Sequence, residues 1–331
     1  MKSTKIVVVG SINWDTILFT EQLPSPGEEI RIKKIKEVPG GKGANISIAS
    51  SRILGSNNVA IFGALGRDNI AKRQVRILTT EGVLTDMLYF TRDTPSGRAY
   101  IVVDAKGRNN ILTYKQANDS LSEKVIYSKN VHKYVNNTNL TIVVDPPFSV
   151  ADRILSLSKI ANKISLWAPG LLSLKGIKNL KTSIMNTDYI IVNESECLNL
   201  TGINDPVTAS KIILSNIKLE GNVIVTMGEN GCLYANKKRI VAIPPAKIEN
   251  KTNDNNHKIL NTAGAGDAFI GTFAAMKLLG NDDIESLISA NVSGAIKSTR
   301  ENIRESPTLQ EILEIKQNQK SSPHIIWSNS L

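Results

Sequence analysis

Nearly continuous apolar runs recur along the chain at Ile6–Val9, Val59–Phe62, Thr141–Val144, Ile164–Trp167, Tyr189–Val192 and Val223–Thr226. They are short and rich in β-branched residues, as strands buried on both faces require. Apolar positions at helical spacing follow several of them, for example over Ile46–Leu54 and Val207–Leu219. This alternation predicts an α/β fold with a mostly parallel sheet and helices on both faces. Two stretches break the rhythm. Thr16–Glu37 and Gly97–Tyr114 alternate apolar and polar residues, as in Ala99, Ile101 and Val103, with a turn at Gly107. They read as antiparallel strands outside the main sheet.

The chain has 331 residues, within the range of one large α/β domain. Its two cysteines, Cys197 and Cys232, lie far apart and form no CxxC motif, which excludes a zinc ribbon and a disulfide framework. No apolar run approaches the length of a membrane span, and the N-terminal run is too short for a signal peptide. A cytoplasmic protein without membrane contact is expected. The net charge of +10 raises the question of nucleic acid. Lysine and arginine are spread along the chain, however, and aromatics make up only 5%. With no stacking platform or recognition helix, the charge reads as a solvent face that also favours anionic small molecules, and no nucleic-acid partner is expected. The polar stretch Lys247–Lys258 reads as a mobile loop, and Ile325, Ile326 and Trp327 as an apolar patch in a polar tail from Lys316.

The segment Asn261-Thr-Ala-Gly-Ala-Gly-Asp-Ala-Phe269 carries the strongest chemical signal. Gly264, Ala265 and Gly266 let the backbone approach another molecule, and Ala268, Phe269, Thr272, Phe273 and Met276 continue at helical spacing. A glycine turn opening a helix presents free N–H groups and a positive dipole end to an anion. Asp267 stands at the same end. There it is either an ordinary capping residue or a base beside an anion hole. Asp267 is expected to be ionised at neutral pH, as an unperturbed aspartate is.

Two further segments add weight to the second reading. Lys5-Ile-Val-Val-Val-Gly10 is a strand ended by glycine, followed by Asn13 and Asp15. Two residues apart in an extended chain, they point the same way and can hold adjacent hydroxyls. Pro39-Gly-Gly-Lys-Gly-Ala-Asn45 is a second glycine-rich turn entering a helix. It is no Walker A loop, since Gly43 follows Lys42, and no GxGxxG is completed here or around Gly264.

In these motifs the chain resembles the ribokinase-like carbohydrate kinases, the PfkB family. Gly40-Gly-Lys-Gly-Ala-Asn45 matches the N-terminal signature and Asn261-Thr-Ala-Gly-Ala-Gly-Asp267 the C-terminal one. Asn193-Glu-Ser-Glu196 is similar to the Asn-x-x-Glu motif, and Thr226-Met-Gly228 with Gly231 to the nucleotide-side turn. The resemblance runs from about Ile6 to about Thr299. It implies a three-layer α/β/α sandwich with a small β-sheet lid. The core would comprise 1–15, 38–96 and 115–315, the lid 16–37 and 97–114, and the tail 316–331. A homodimer formed through the lid is also implied.

Roles follow by the same resemblance. Asp267 would be the base, with Gly264, Ala265 and Gly266 as the anion hole. Asn13, Asp15, Gly41, Lys42 and Asn45 match sugar-binding positions, and Asp145 stands where a longer glutamate is usual. Asn193, Thr226, Gly228, Gly231 and Asn291 would face the nucleotide. Glu196 would hold Mg²⁺ through water. The implied reaction is ATP-dependent phosphorylation of the 5-hydroxyl of ribose. A nucleoside kinase or a kinase for another sugar is the alternative within the family, and a non-catalytic sugar-binding protein the alternative outside it.

Two departures qualify the match. Asn261 replaces the aspartate of the C-terminal signature, which belongs to a monovalent-cation site, and Arg300-Glu-Asn-Ile-Arg-Glu305 lacks a glycine and brings Arg304. Little dependence on K⁺ is expected. Trp167-Ala-Pro-Gly170 differs from the usual Asn-Pro stretch, so Trp167 either reshapes the acceptor pocket or fills the core.

Overall fold

A computed structural model describes residues 4–106, 108–217, 220–248, 259, 261–319 and 322–328. Each of the six apolar runs forms a strand within one residue of its expected ends. They assemble into a ten-stranded sheet. In spatial order its strands are His324–Ser328, Arg239–Ile243, Cys232–Ala235, Asn222–Thr226, Tyr189–Asn193, Ile164–Ala168, Leu140–Val144, Ile6–Gly10, Val59–Phe62 and Val83–Leu84. From Asn222–Thr226 to Val83–Leu84 every neighbouring pair is parallel. The remaining three strands are antiparallel and close one edge. The apolar tail patch is thus the last strand of the sheet, and Lys211 lies over the Trp327 ring at 5.3 Å.

The two faces of the sheet are separated by the strand period of two. Val7, Val9, Val143, Trp167 and Val192 point to one side, against helices Phe148–Ile160 and Pro206–Leu214. Ile6, Val8, Ile142, Leu166 and Ile191 point to the other, against helices Lys42–Leu54, Ala265–Leu278 and Asp283–Ser298. The result is the three-layer α/β/α sandwich. Trp167 is 1% exposed within the first of these cores, so it fills the interior rather than an acceptor pocket. The helix anticipated as far as Leu219 runs Pro206–Leu214, begun by Asp205, whose carboxylate accepts from the Thr208 amide. Cys197 and Cys232 are buried and free. No described helix is long and apolar enough to cross a membrane. Of the stretch read as a mobile loop, only Lys247 and Ile248 are described; His257 and the turn residue Gly107 also lie outside the described residues.

A separate four-stranded sheet has the order Lys34–Gly40, Asn13–Phe19, Gly97–Val103, Asn109–Tyr114. Its outer pairs are antiparallel, but Asn13–Phe19 and Gly97–Val103 run parallel, contrary to the expected all-antiparallel arrangement. The reason is connectivity: after the return strand Lys34–Gly40, core elements including strand Val59–Phe62 and helix Asn69–Thr80 intervene between the two central strands. A parallel pair needs such a crossover. Ile17, Val38 and Ile101 line the inner face and pack on Ile303. Strand Asn109–Tyr114 is exposed throughout.

Candidate active site

The carboxyl ends of the parallel strands gather the chemistry, as is general in such sheets. Asp145 follows Leu140–Val144, Asn193 ends Tyr189–Asn193, Thr226 ends Asn222–Thr226, and Gly10 leads through Ser11 into Asn13. Asn13 and Asp15 stand on the first strand of the small sheet, paired with Gly40 and Val38. They project from the base of that sheet rather than from a turn. Gly40 leaves room for the Asp15 carboxylate: a Cβ there would sit 1.9 Å from its Oδ2.

Helix Ala265–Leu278 begins at Gly264, which holds φ = 83° and backs onto the Ile303 carbonyl. That left-handed conformation favours glycine, which has no Cβ to clash. The Ala265 amide donates to the Thr262 carbonyl at 3.1 Å and so belongs to the turn. This corrects the expectation that all three residues offer their N–H outward. The first-turn amides of Gly266 and Asp267 have no partner inside the helix by its geometry. Gly266 faces open space, with nothing within 4 Å of a Cβ position.

Asp267 is half-buried, and desolvation of its carboxylate raises its pKa above the ordinary aspartate value. This departs from the unperturbed behaviour expected of it, and makes it a stronger base. Asn45 donates from Nδ2 to its Oδ2 at 2.7 Å. Lys42 and Arg304 act in the opposite sense to burial through their charge, and Asp145 in the same sense. Asp15, 6% exposed, is raised to about 7, chiefly by burial, against the pull of Arg304. Its Oδ1 is buried without a hydrogen-bond partner, as is the nearby Ser11 hydroxyl.

Asp145 adopts φ = 58° and accepts from Lys115 Nζ at 3.4 Å. Gly170 brings the groups opposite it together: a Cβ there would lie 3.2 Å from Lys42 Nζ and 3.7 Å from Asp145 Oδ1. Asn193 and Glu196 form a capping box, with the Glu196 amide donating to Asn193 Oδ1 at 2.8 Å and the Asn193 amide to Glu196 Oε2 at 3.2 Å. Burial raises the pKa of Glu196, Lys42 lowers it, and Asp145 and Asp267 raise it. Glu196 and Asp145 are oxygen donors of the kind a hydrated Mg²⁺ takes, and that ion needs few protein ligands. Among the described residues no cluster of three or more acidic, histidine or cysteine side chains forms a dedicated metal cage.

A second group of the expected residues follows the neighbouring strand Asn222–Thr226. Gly228 (φ = 53°) and Gly231 (φ = 82°) bend the turn after Thr226. Gly231 presses against the Ile243 carbonyl and Pro244, where any side chain would collide. Ile243 and Pro244 wall a small cleft with Ile288, Asn291 and Val292, and Asn291 Nδ2 donates to the Pro244 carbonyl at 3.0 Å. The residues after Thr226 and those around Asp267 thus form two separate groups at the carboxyl ends of the sheet strands.

Three contributors escaped the sequence reading. Asn118 donates to Asn13 Oδ1 at 2.9 Å and accepts the Ile12 amide at 2.9 Å. Gln74 donates to the Asn13 carbonyl. Arg304, noticed only as part of a divergent segment, donates to Asn45 Oδ1 at 2.9 Å. No local pattern marks such residues; a charged side chain next to apolar Ile303 was the only hint.

A family model described as pfkB family carbohydrate kinase matches residues 3–309. The chain belongs to this family. A ribokinase of Dictyostelium discoideum is 30% identical over 314 residues, 89% of this chain and 94% of that protein. A deoxyribokinase of Salmonella typhi is 28% identical over 315 residues, 93% and 97% of the respective chains. The pfkB fold is equally plain in space. The structure of Arabidopsis thaliana ribokinase complexed with ribose and ATP superposes with a TM-score of 0.81 at 22% identity, covering 96% of this chain and 100% of that one. As a pfkB kinase the chain is a phosphotransferase acting on a sugar hydroxyl.

Proposed function

We propose that this kinase transfers the γ-phosphoryl group of ATP to the 5-hydroxyl of ribose, giving ribose 5-phosphate. The observation that carries this reading is the pairing of Asp267 with Asn45 at the open end of helix Ala265–Leu278, with the orphaned Asp15 carboxylate nearby. Asn13, Asp15, Gly41, Lys42, Asn45 and Asp145 hold the sugar. Asn193, Thr226, Gly228, Gly231 and Asn291 hold the nucleotide. A Mg²⁺ held by Glu196 through water would offset charge on the phosphates.

The sugar hydroxyl oxygen attacks the γ-phosphorus, and its proton passes to Asp267. The bond from the γ-phosphorus to the bridging oxygen breaks, and ADP leaves with that electron pair. Charge on the migrating group is met by the main-chain amides of Gly264, Gly266 and Asp267 and by the helix dipole. Positioning does most of the work in such a loose transition state. The small sheet closes over the sugar and keeps out water, the competing acceptor. Its exposed strand, with Ile111, Leu112 and Tyr114, is the surface through which two copies pair. The replacement at Asn261 leaves the enzyme little dependent on K⁺.

ADP release is measured with ribose, deoxyribose, fructose and nucleosides as acceptors, against ATP and ADP as donors. Ribose with ATP is expected to give the highest kcat/KM; a clear preference for deoxyribose or a nucleoside transfers the assignment to that acceptor. Asp267→Asn should lower kcat by about 10³-fold or more with nucleotide binding kept. A fully active variant removes Asp267 from its role.

A further inference from the structure

Arg304 is 6% exposed, yet no carboxylate lies at ion-pair distance from it among the described residues. Its donors go to neutral oxygens instead. Nε donates to Asn45 Oδ1 at 2.9 Å, Nη1 to Gln74 Oε1 at 2.7 Å, and Nη2 to the Gly40 carbonyl. Each contact has a consequence one bond further on. An amide oxygen facing a guanidinium leaves its NH₂ no choice of direction. Asn45 must therefore turn Nδ2 to Asp267, where the distance is 2.7 Å, and Gln74 must turn Nε2 to the Asn13 carbonyl. Asn13 and Gly40 face each other as the first rung of the small sheet. One rigid fork thus reaches both ends of that rung and the partner of Asp267.

We propose that Arg304 is a positioning residue for phosphoryl transfer: it fixes the Asn45 amide that holds Asp267 and ties the root of the lid to the same point. The proposal rests on Asp267 serving as the base. A neutral donor could orient one amide; only a guanidinium presents donors to three acceptors in fixed geometry. Its charge also matters. Asp267 is faced by Lys42, Asn45, Arg304 and Asp145, with Asp15, Glu196 and Lys297 further out. Removing one of the two near cations should make Asp267 harder to ionise.

The test compares Arg304→Gln in the wild-type and Asn45→Ala backgrounds, with kcat, KM and the pH profile read for each. In the wild-type background kcat should fall about 10- to 100-fold, as loss of a charge-assisted contact implies. The acidic limb should move to higher pH, and the KM for nucleotide should stay within about two-fold. In the Asn45→Ala background the same change should cost less than about three-fold, because the link it acts through is gone. Equal losses in both backgrounds, or an acidic limb that stays in place, overturn the proposal. If Arg304→Gln is too unstable to assay, Arg304→Lys decides: kcat should still fall while the acidic limb holds, and a wild-type kcat overturns the role. A wild-type protein that phosphorylates no sugar would instead refute the kinase reading itself.

Discussion

The ammonium group of Lys297 donates to the main-chain carbonyl of Asn261 at 3.1 Å, with none of the residue exposed to solvent. Asn261 is also held by its own amide, which donates to the Ser298 carbonyl at 3.2 Å, and by its Nδ2, which donates to the Glu301 carbonyl at 2.9 Å. Its Oδ1 accepts the Ala263 amide at 2.9 Å. A lysine ammonium therefore sits under the loop that shapes Gly264.

With that charge supplied by the chain, exchanging potassium for sodium should change kcat by less than about two-fold. Burial lowers the Lys297 pKa to about 8, against the raising influence of Glu305 and Asp267; Arg300 acts with burial. Deprotonation should weaken the loop, so kcat is expected to fall as pH rises through about 8. Stability should move the other way. The unfolded chain holds this proton up to the ordinary lysine range, so between about 8 and that range it binds more protons than the fold, and stability rises with pH. Strong selective activation by potassium, or an alkaline limb unaffected by Lys297→Met, contradicts this account.

Gly264 and Gly266 separate the fold from the chemistry. Gly264→Ala forces a side chain into φ = 83° and to within 2.6 Å of the Ile303 carbonyl. It should lose about 1–3 kcal/mol of stability, read by denaturant unfolding. Gly266→Ala meets nothing within 4 Å, and its stability should hold within about 0.5 kcal/mol. If the anion hole is placed as proposed, the added methyl enters the space of the migrating phosphoryl group. kcat should fall at least about tenfold, an effect of some 1.4 kcal/mol on the barrier. An active Gly266→Ala protein would place the anion elsewhere.

Asp15 gives a second pH dependence. Its pKa is raised to about 7 in the fold, while the unfolded chain ionises near the ordinary aspartate value. Between those limits the fold binds more protons, so this group contributes stability at low pH that is lost as pH rises through about 7. Relative to wild type, Asp15→Asn should gain in melting temperature as pH climbs across that window. A gap that stays constant shows that Asp15 does not titrate there.

The sequence made the parallel sheet legible because strands buried on both faces must be apolar at nearly every position, as Ile6–Gly10 and Leu140–Val144 are. The glycine turns were equally visible, since Gly264 and Gly41 serve backbone shapes that other residues resist. What stayed hidden was set by distance along the chain. Asn118 reaches Asn13 across 105 positions, and Arg304 reaches Asn45 across 259. Neither leaves a periodic trace. The parallel pairing inside the lid was hidden for the same reason: alternation shows that a strand has two unlike faces, not which way its neighbour runs. The raised pKa of Asp267 likewise comes from burial, which no local spacing records.

The reach of Arg304 across the molecule also bears on birth at the ribosome. Gly40, Asn45 and Gln74 emerge early, yet the guanidinium that orders them comes 230 or more positions later. Domains tend to fold as their chains emerge, and these three contacts form only once a residue near the end of the chain has been made. A chain cut short before that arginine would lack the contacts that fasten Asn45, Gln74 and the root of the small sheet.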